Sequence, residues 1–292
     1  MSDKISAGFI GLGDIGKPMA KHMVCETINA HVFDIYQPAV DELAAEGAVD
    51  CGSLAELAAV CTHIGICVRD DAQVEGLLYG DGGIFANAAA GTLIAVHSTV
   101  IQANLLKWAG EAQAKGLRLI DAPMTGGANG AQEGTLCYMV GGTEQDLADV
   151  AKVISTSADK IVHAGPLGSG IALKLCNNFI QYAEFVALAE AARLADACGL
   201  SLDVVKEVGF ANGVVNPQMY SFVSGRNALA PSCTHEQMTE IFGGFGTLAR
   251  KDLNCALDTA AQQGVTMPTA EFIRDRIESV FLATDESRPP SK

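Results

Sequence analysis

Basic residues are scarce in this sequence of 292 residues, where 19 lysines and arginines stand against 34 aspartates and glutamates, a formal net charge of −15. Such a surface repels nucleic-acid phosphates and anionic membranes, so neither is expected as a partner. The sequence has no run of about 18 apolar residues, so no membrane-spanning helix is expected. Residues 1–4 lead directly into an apolar segment, which indicates no signal peptide and predicts a soluble, cytoplasmic protein.

The nine cysteines are scattered, odd in number and form no C-x-x-C pair. They predict neither a disulfide framework nor a zinc site, but thiols that serve as small hydrophobic side chains in a reducing compartment. Since no cluster of histidine, cysteine and carboxylate has metal-ligand spacing, no metal is expected. Hydrophobic residues make up 49% and charged residues 18%, which excludes a disordered protein, and the length allows two domains with separate cores.

A glycine-rich turn near the N-terminus is the first motif that indicates a chemical function. A strand predicted over residues 7–10 leads into Gly11-Leu12-Gly13-Asp14-Ile15-Gly16, followed by a helix over 17–24 and a strand that ends in Asp34. This is the G-x-G-x-x-G pattern in the order strand, turn and helix that dinucleotide binding requires. Because Asp34 would bind ribose hydroxyls and repel a 2′-phosphate, the pattern favours NAD. A chance glycine turn and a solvated aspartate are the alternatives.

Strands and helices alternate after this motif. Strands are predicted at 64–68, 92–96, 117–121 and 136–140, and helices at 38–47, 53–60, 72–79 and 101–115. The alternation predicts a parallel, doubly wound Rossmann sheet, in which ligands bind beyond the carboxyl ends of the strands. After one such end, Thr125, Gly126 and Gly127 offer a hydroxyl and backbone N–H groups that suit an anion such as a carboxylate.

Residues 168–200 predict a long helix, because about 28 of them contain no proline and no glycine. At about 1.5 Å per residue it would be roughly 40 Å long, so it is predicted to join two domains. Lys174 and Asn178 are four residues apart and share one face. Among mostly apolar neighbours they need a polar partner such as a bound substrate, although an ordinary surface lysine is the alternative.

Gly165-Pro166 marks the predicted boundary between a domain over residues 1–164 and a second domain over 165–292. No β alternation follows residue 202, and helices are predicted at 202–212, 234–258 and 269–284, so the second domain is expected to be all-helical. Its Arg250-Lys251-Asp252-Leu253 segment is most simply a solvated helix face. The tail from Asp285 is predicted to be disordered.

Five segments together resemble the β-hydroxyacid dehydrogenase family, whose members include 3-hydroxyisobutyrate dehydrogenase and tartronate semialdehyde reductase. They are GFIGLGDIGKPMA (8–20), HST (97–99), DAPMTGGANGAQEGTLCYMVGG (121–142), GSGIALKLCNN (168–178) and KDLNCAL (251–257). The segments follow the family's order over nearly the whole chain. The resemblance implies a Rossmann domain joined by a long helix to a helical domain, with the active site between them. We also expect a homodimer or homotetramer to which the helical domain contributes contacts.

The resemblance also implies roles for single residues. Lys174 matches the catalytic lysine, and Asn178 the asparagine that orients the substrate. Thr125, Gly126 and Gly127 match the turn that holds the substrate carboxylate. The matching cofactor-binding positions are the glycine turn from Gly11 to Gly16, together with Asp34, Val68, Arg69, Thr99 and Lys251.

Three positions depart from the family pattern. Thr125 replaces a serine and adds a methyl group where the substrate is expected, Arg69 replaces a proline, and His97 replaces an aspartate. Arg69 is either a cation aimed at an acidic or sulfonated substrate or an exposed loop residue. His97 is either a structural residue at a strand end or a proton carrier.

The predicted function is NAD-dependent interconversion of a small β-hydroxy acid, similar to 3-hydroxyisobutyrate, and its semialdehyde or ketone. Lys174 would handle the hydroxyl proton while hydride moves between substrate and nicotinamide. The alternatives are a reductase of tartronate semialdehyde, sulfolactaldehyde or a related acid, an imine reductase or reductive aminase, and 6-phosphogluconate dehydrogenase, whose chain is much longer. A cofactor-binding interaction module is the alternative outside the enzymes. Imine reductases and such modules typically lack the lysine that this chain keeps.

Overall fold

The computed structural model describes residues 4–285. By its internal contacts the chain divides between Lys174 and Leu175 into two compact units. The first is a sheet with helices and the second is helical, which confirms the predicted fold class. The domain boundary expected between residues 164 and 165 falls just before the long helix that crosses this division, and it stays a prediction.

The first unit alternates strands with helices. Its strands are β1 (Ile5–Ile10), β2 (Ile28–Phe33), β3 (Val49–Asp50), β4 (His63–Ile66), β5 (Leu93–Val96), β6 (Arg118–Asp121), β7 (Met124–Thr125), β8 (Leu136–Gly141) and β9 (Ala158–Gly165). Its helices are α1 (Gly16–His22), α2 (Gln37–Ala45), α3 (Leu54–Val60), α4 (Asp71–Leu78), α5 (Ile84–Asn87), α6 (Gln102–Ala114), α7 (Gly127–Glu133) and α8 (Glu144–Ile154).

The strands form one sheet in the order β3-β2-β1-β4-β5-β6-β8-β7, with β9 beside β8. Strands β1 to β6 pair in parallel. Their short apolar sequences suit a sheet covered on both faces, and all four residues of β5 are buried. The strand order reverses between β1 and β4, which is the Rossmann arrangement and places a ligand crevice beyond the carboxyl ends of these two strands.

The glycine-rich segment that we predicted as an anion-binding turn contains a helix, α7. Its glycines disfavour a helix by about 1 kcal/mol each relative to alanine, so the sequence pattern indicates a loop. The helix forms in tertiary context, since Gly130 and Ala131 are buried. In addition, the Nε2 of His22 on α1 bonds to the carbonyl oxygen of Ala131 at 3.1 Å. The residues predicted to form an open turn therefore form the end of β7 and the first turn of α7.

The second unit is built from helices. They are α9 (Ser169–Ala197), which begins in the first unit, α10 (Leu202–Asn212), α11 (Pro217–Leu229), α12 (His235–Met238), α13 (Gly244–Gln262), α14 (Pro268–Arg274) and α15 (Ile277–Phe281). The 29 residues of α9 agree with the predicted long helix. The helical segment expected over 234–258 is helical from His235 to Gln262, with a π-helical turn over Thr239–Gly243 between α12 and α13. The helix expected over 269–284 is likewise divided into α14 and α15.

Aromatic rings on three helices form the centre of the helical core. Phe222 lies between Phe185 and Phe281, with ring centroids 4.3 Å and 4.7 Å away. Asp285, where we expected a disordered tail to begin, instead contacts Arg193 and Arg226 through its carboxylate. The rest of that predicted tail, residues 286–292, lies outside the described residues. Within residues 4–285, no helix combines the length and apolarity needed to cross a bilayer.

Candidate active site

The glycine turn after β1 has two glycines that the fold requires and one that it does not. A Cβ on Gly11 would collide with the carbonyl oxygen of Cys67, and a Cβ on Gly16 with the carbonyl oxygen of Gly11. At Gly13, by contrast, an added Cβ would have no heavy atom of the described residues within 4 Å. The backbone at Gly13 is therefore accessible from open space, and the absence of a side chain allows a pyrophosphate to approach it closely.

Asp34 follows β2 and is fixed to this turn. Its Oδ2 accepts the backbone N–H of Leu12 at 2.5 Å, and its Oδ1 accepts that of Tyr36 at 2.8 Å. Each carboxylate oxygen can accept a further hydrogen bond, for example from a ribose hydroxyl. Beside the turn lies an open cleft of about 560 Å³. Its lining includes Leu12, Gly13, Asp14, Lys17, Tyr36, Asn129 and Gln132. The bare Gly13, the anchored Asp34 and the cleft fit an adenine dinucleotide.

Replacing Gly13 by alanine is expected to weaken NADH binding by at least about tenfold while the thermal midpoint stays within a few degrees of wild type. The added methyl group would have no heavy atom of the described residues within 4 Å, so it would clash only with a bound ligand. Gly16→Ala is the matched control, since its methyl group would strike the backbone and lower stability. Titration with NADH and thermal unfolding of both variants measure the two effects. Unchanged NADH affinity in Gly13→Ala would contradict the cofactor assignment.

Three further predicted cofactor positions lie at the carboxyl ends of two neighbouring strands. Val68 and Arg69 follow β4, where the N–H of Val68 donates to the Ser98 hydroxyl at 2.8 Å and the N–H of Arg69 donates to Gln73 at 2.9 Å. Thr99 follows β5 directly after Ser98. The fold thus brings these residues and the glycine turn to the same edge of the sheet. Arg69 is exposed, as the loop interpretation expected.

His97 is buried at the end of β5, with 4% of its surface exposed. Its Nδ1–H donates to the carbonyl oxygen of Ala122 at 2.8 Å, and its ring stacks on Phe9 at 5.7 Å. Burial lowers the pKa of His97 to about 4, against the opposing effect of the Ala122 hydrogen bond. A neutral, buried ring that joins two strand ends supports the structural interpretation over a proton carrier.

The predicted carboxylate-binding residues span the end of β7 and the start of α7. Thr125 is half-buried and pairs with Cys137 of β8. Gly126 and Gly127 have φ values of +131° and +63°, which only glycine adopts readily. Gly127 begins α7, and the first N–H groups of a helix have no partner within the helix. The turn therefore keeps the hydroxyl and backbone donors that the sequence indicated.

Asp121 anchors the start of the helix that carries Lys174. It ends β6, and its side chain is fully buried. Its Oδ1 accepts the N–H of Gly168 and its Oδ2 accepts the N–H of Ile171, both at 2.8 Å. Burial raises the pKa of Asp121, while the two backbone N–H groups oppose this shift. A carboxylate thus holds the first turn of α9, and Lys174 lies three residues beyond Ile171.

Lys174, Asn178 and Tyr182 follow one another at intervals of four residues on one face of α9. Asn178 is only 5% exposed, and its Nδ2 donates to the Oδ2 of Asp252 at 2.8 Å. The Nζ of Lys251 lies 3.1 Å from the other oxygen of Asp252. The solvated-face interpretation of residues 250–253 is therefore wrong for Asp252, which is 3% exposed. Within the helical unit, the two predicted residues Asn178 and Lys251 meet at this carboxylate.

Comparison with known proteins gives the family. The NAD-binding domain of 6-phosphogluconate dehydrogenase matches residues 6–165, and the NAD-binding domain of NADP-dependent 3-hydroxyisobutyrate dehydrogenase matches residues 168–287. The chain belongs to the β-hydroxyacid dehydrogenase family, in its 3-hydroxyisobutyrate dehydrogenase-like branch. This confirms the predicted resemblance.

Relatives cover nearly the full length of this β-hydroxyacid dehydrogenase. 2-(Hydroxymethyl)glutarate dehydrogenase of Eubacterium barkeri is 33% identical over 92% of this chain and 86% of its own. NAD-dependent L-serine dehydrogenase of Pseudomonas aeruginosa is 34% identical over 89% of this chain and 87% of its own. The solved structure of Mycobacterium tuberculosis 3-hydroxyisobutyrate dehydrogenase with L-serine has 27% identity and a TM-score of 0.82, over 97% of this chain and 98% of its own.

The predicted enzyme class is confirmed, since these relatives are dehydrogenases that act on hydroxyl groups and both matching domains bind NAD or NADP. This hydroxyacid dehydrogenase is therefore an NAD(P)-dependent enzyme. The individual residue roles stay predictions. Sequence reasoning did not assign a role to Asp121, Tyr182 or Asp252, although the position of Tyr182, eight residues after Lys174, placed it on the same helix face.

Proposed function

We propose that this dehydrogenase interconverts a small β-hydroxy acid and its semialdehyde or ketone, with NAD as the cofactor and a substrate similar to 3-hydroxyisobutyrate. The observation that carries the proposal is the face of α9 on which Lys174 precedes Asn178 by one turn, with Asn178 held by a buried carboxylate. The substrates named for the relatives agree, since serine, 3-hydroxyisobutyrate and 2-(hydroxymethyl)glutarate are all carboxylic acids with a hydroxymethyl group.

In this proposal each part of the substrate has its own partner. The Thr125 hydroxyl and the N–H groups of Gly126 and Gly127 bind the carboxylate. Asn178 binds the substrate hydroxyl, and Lys174 accepts its proton during oxidation and returns it during reduction. The bound nicotinamide supplies the hydride acceptor or donor. Since hydride leaves the carbon as the proton leaves the oxygen, a positioned base next to the hydroxyl is the contribution that the protein must make.

NAD is the proposed cofactor because Asp34 would face the 2′-phosphate of NADP. A fixed carboxylate repels a phosphate, and its hydrogen bonds to Leu12 and Tyr36 keep it from turning away. The residues that follow, Ile35, Tyr36 and Gln37, include no arginine that could neutralise the phosphate.

Steady-state kinetics are expected to give a kcat/KM at least about tenfold higher with NAD⁺ than with NADP⁺. The measurement should cover 3-hydroxyisobutyrate, serine and 2-(hydroxymethyl)glutarate, with isobutanol as a control that lacks the carboxylate. The acids should be oxidised and the alcohol should be a poor substrate. A higher kcat/KM with NADP⁺ would overturn the role of Asp34, and equal turnover of isobutanol would overturn the carboxylate site.

A further inference from the structure

Three polar side chains form a hydrogen-bonded cluster inside the helical unit. Asn178 and Tyr182 lie one turn apart on α9 and Asp252 lies on α13, and they are 5%, 7% and 3% exposed. A single oxygen, the Oδ2 of Asp252, accepts the Nδ2–H of Asn178 at 2.8 Å and the hydroxyl of Tyr182 at 2.9 Å. A buried polar cluster of this kind specifies one arrangement, because any other would leave a donor or acceptor unpaired.

The carboxylate decides the direction of each hydrogen bond. Asp252 is paired with Lys251, and an ionised carboxylate only accepts hydrogen bonds. The nitrogen rather than the oxygen of the Asn178 amide must therefore face it, and Tyr182 must donate its proton to it. The lone pairs of the Tyr182 oxygen then face the Asn178 nitrogen, 3.5 Å away. Burial and the charge of Asp252 raise the pKa of Tyr182 well above its ordinary value, so this hydroxyl keeps its proton.

This polarity turns the carbonyl oxygen of Asn178 away from Asp252. The Nδ2 of Asn177 lies 3.4 Å from it, and a carbonyl oxygen can accept two hydrogen bonds. We propose that Tyr182 is a positioning residue that, with Asp252, fixes the orientation of the Asn178 amide one helix turn beyond Lys174, where the amide binds the substrate hydroxyl. The inference rests on the substrate-binding role proposed above for Asn178.

Tyr182→Phe tests the proposal, because it removes the hydroxyl and keeps the ring. The kcat/KM for the hydroxy acid is expected to fall about tenfold, within the range of couplings between contacting residues. The KM for the hydroxy acid should rise, and NADH affinity should not change. Tyr220→Phe is the matched control, since the Tyr220 hydroxyl donates to Asp203 at 2.7 Å in the same helical unit. It should have wild-type kinetics.

A double-mutant cycle with Asn178→Ala separates this inference from the proposed function. If Tyr182 acts through Asn178, Tyr182→Phe should cause no further loss in the Asn178→Ala background. Normal kcat/KM in Asn178→Ala would contradict the proposed role of Asn178. An impaired Asn178→Ala with a normal Tyr182→Phe, or with losses that multiply in the double variant, would contradict the positioning role alone.

Discussion

Replacing Lys174 by alanine is expected to lower kcat by about 10²- to 10⁴-fold, the range that positioned proton transfer contributes. The variant would keep the hydride acceptor and the carboxylate-binding turn but lose the group that takes the hydroxyl proton. NADH affinity should be unchanged, because the glycine turn and Asp34 are separate from α9 in sequence. Measuring kcat and the NADH dissociation constant together distinguishes a chemical defect from a binding defect.

Two companion variants sharpen the test of Lys174. Lys174→Arg should recover little activity, because a guanidinium stays protonated and cannot accept a proton from the substrate. Lys152→Ala is the control for loss of an ordinary lysine, since Lys152 forms an exposed ion pair with Asp149 at 2.7 Å on α8. It should have wild-type kcat. A near-normal kcat in Lys174→Ala, or full activity in Lys174→Arg, would rule out the proposed proton transfer whatever the substrate is.

The cofactor half of the site could be predicted from sequence because its constraints are local. Gly11 and Gly16 are required by backbone atoms of the turn and of the adjacent strand end, so a short pattern carries the information. Lys174 and Asn178 were predictable in the same way, since a spacing of four residues within a helix fixes a shared face. Gly11 also approaches the distant Cys67, but its φ of +94° is a local requirement that favours glycine. The other requirements lie within a few residues of the pattern or on one regular element.

The supporting carboxylates could not be predicted because their partners are distant in sequence. Asp252 accepts hydrogen bonds from residues 74 and 70 positions earlier, and Asp121 from backbone groups 47 and 50 positions later. The sequence indicated a solvated helix face for residues 250–253, and nothing in it indicated that Asp252 would be buried. An aspartate that follows Arg250 and Lys251 in sequence is expected to be exposed to solvent, because charged residues are rarely buried without partners.

Asp121 and Asp146 both accept hydrogen bonds at the start of a helix, and their pKa values shift in opposite directions. Their contributions to stability should therefore depend on pH in opposite ways. At Asp121 burial outweighs the backbone hydrogen bonds, and the pKa rises. At Asp146, which caps α8, burial is outweighed by hydrogen bonds from Thr143 and Arg118, and the pKa falls. The stabilising contribution linked to a raised pKa is present at low pH and is lost as pH rises through the folded-state value. The contribution linked to a lowered pKa is present above the unfolded-state value and is lost in acid.

Asp121→Ala is accordingly expected to lower both stability and turnover. The buried N–H groups of Gly168 and Ile171 would lose their acceptor, at a cost of about 1–3 kcal/mol each. Removal of the buried carboxylate offsets part of this cost, so the free energy of unfolding should fall by about 2–4 kcal/mol. The first turn of α9 would lose its anchor, and kcat should fall by about tenfold or more as Lys174 is displaced. Urea unfolding and steady-state kinetics, recorded well below the thermal midpoint, measure both effects.

Asp146→Ala is the matched control, because it also removes a carboxylate cap but from α8, which carries no predicted site residue. It should lose stability and keep kcat. The pH dependence distinguishes the two aspartates further. The stability difference between wild type and Asp121→Ala should shrink as pH rises above the ordinary aspartate value of 3.8, whereas the difference for Asp146→Ala should shrink as pH falls below it. If Asp121→Ala lost stability but kept full kcat, Asp121 would be a structural cap without influence on the catalytic helix turn. If its stability difference grew with pH, the buried carboxylate would be stabilised as the anion, against the direction of its pKa shift.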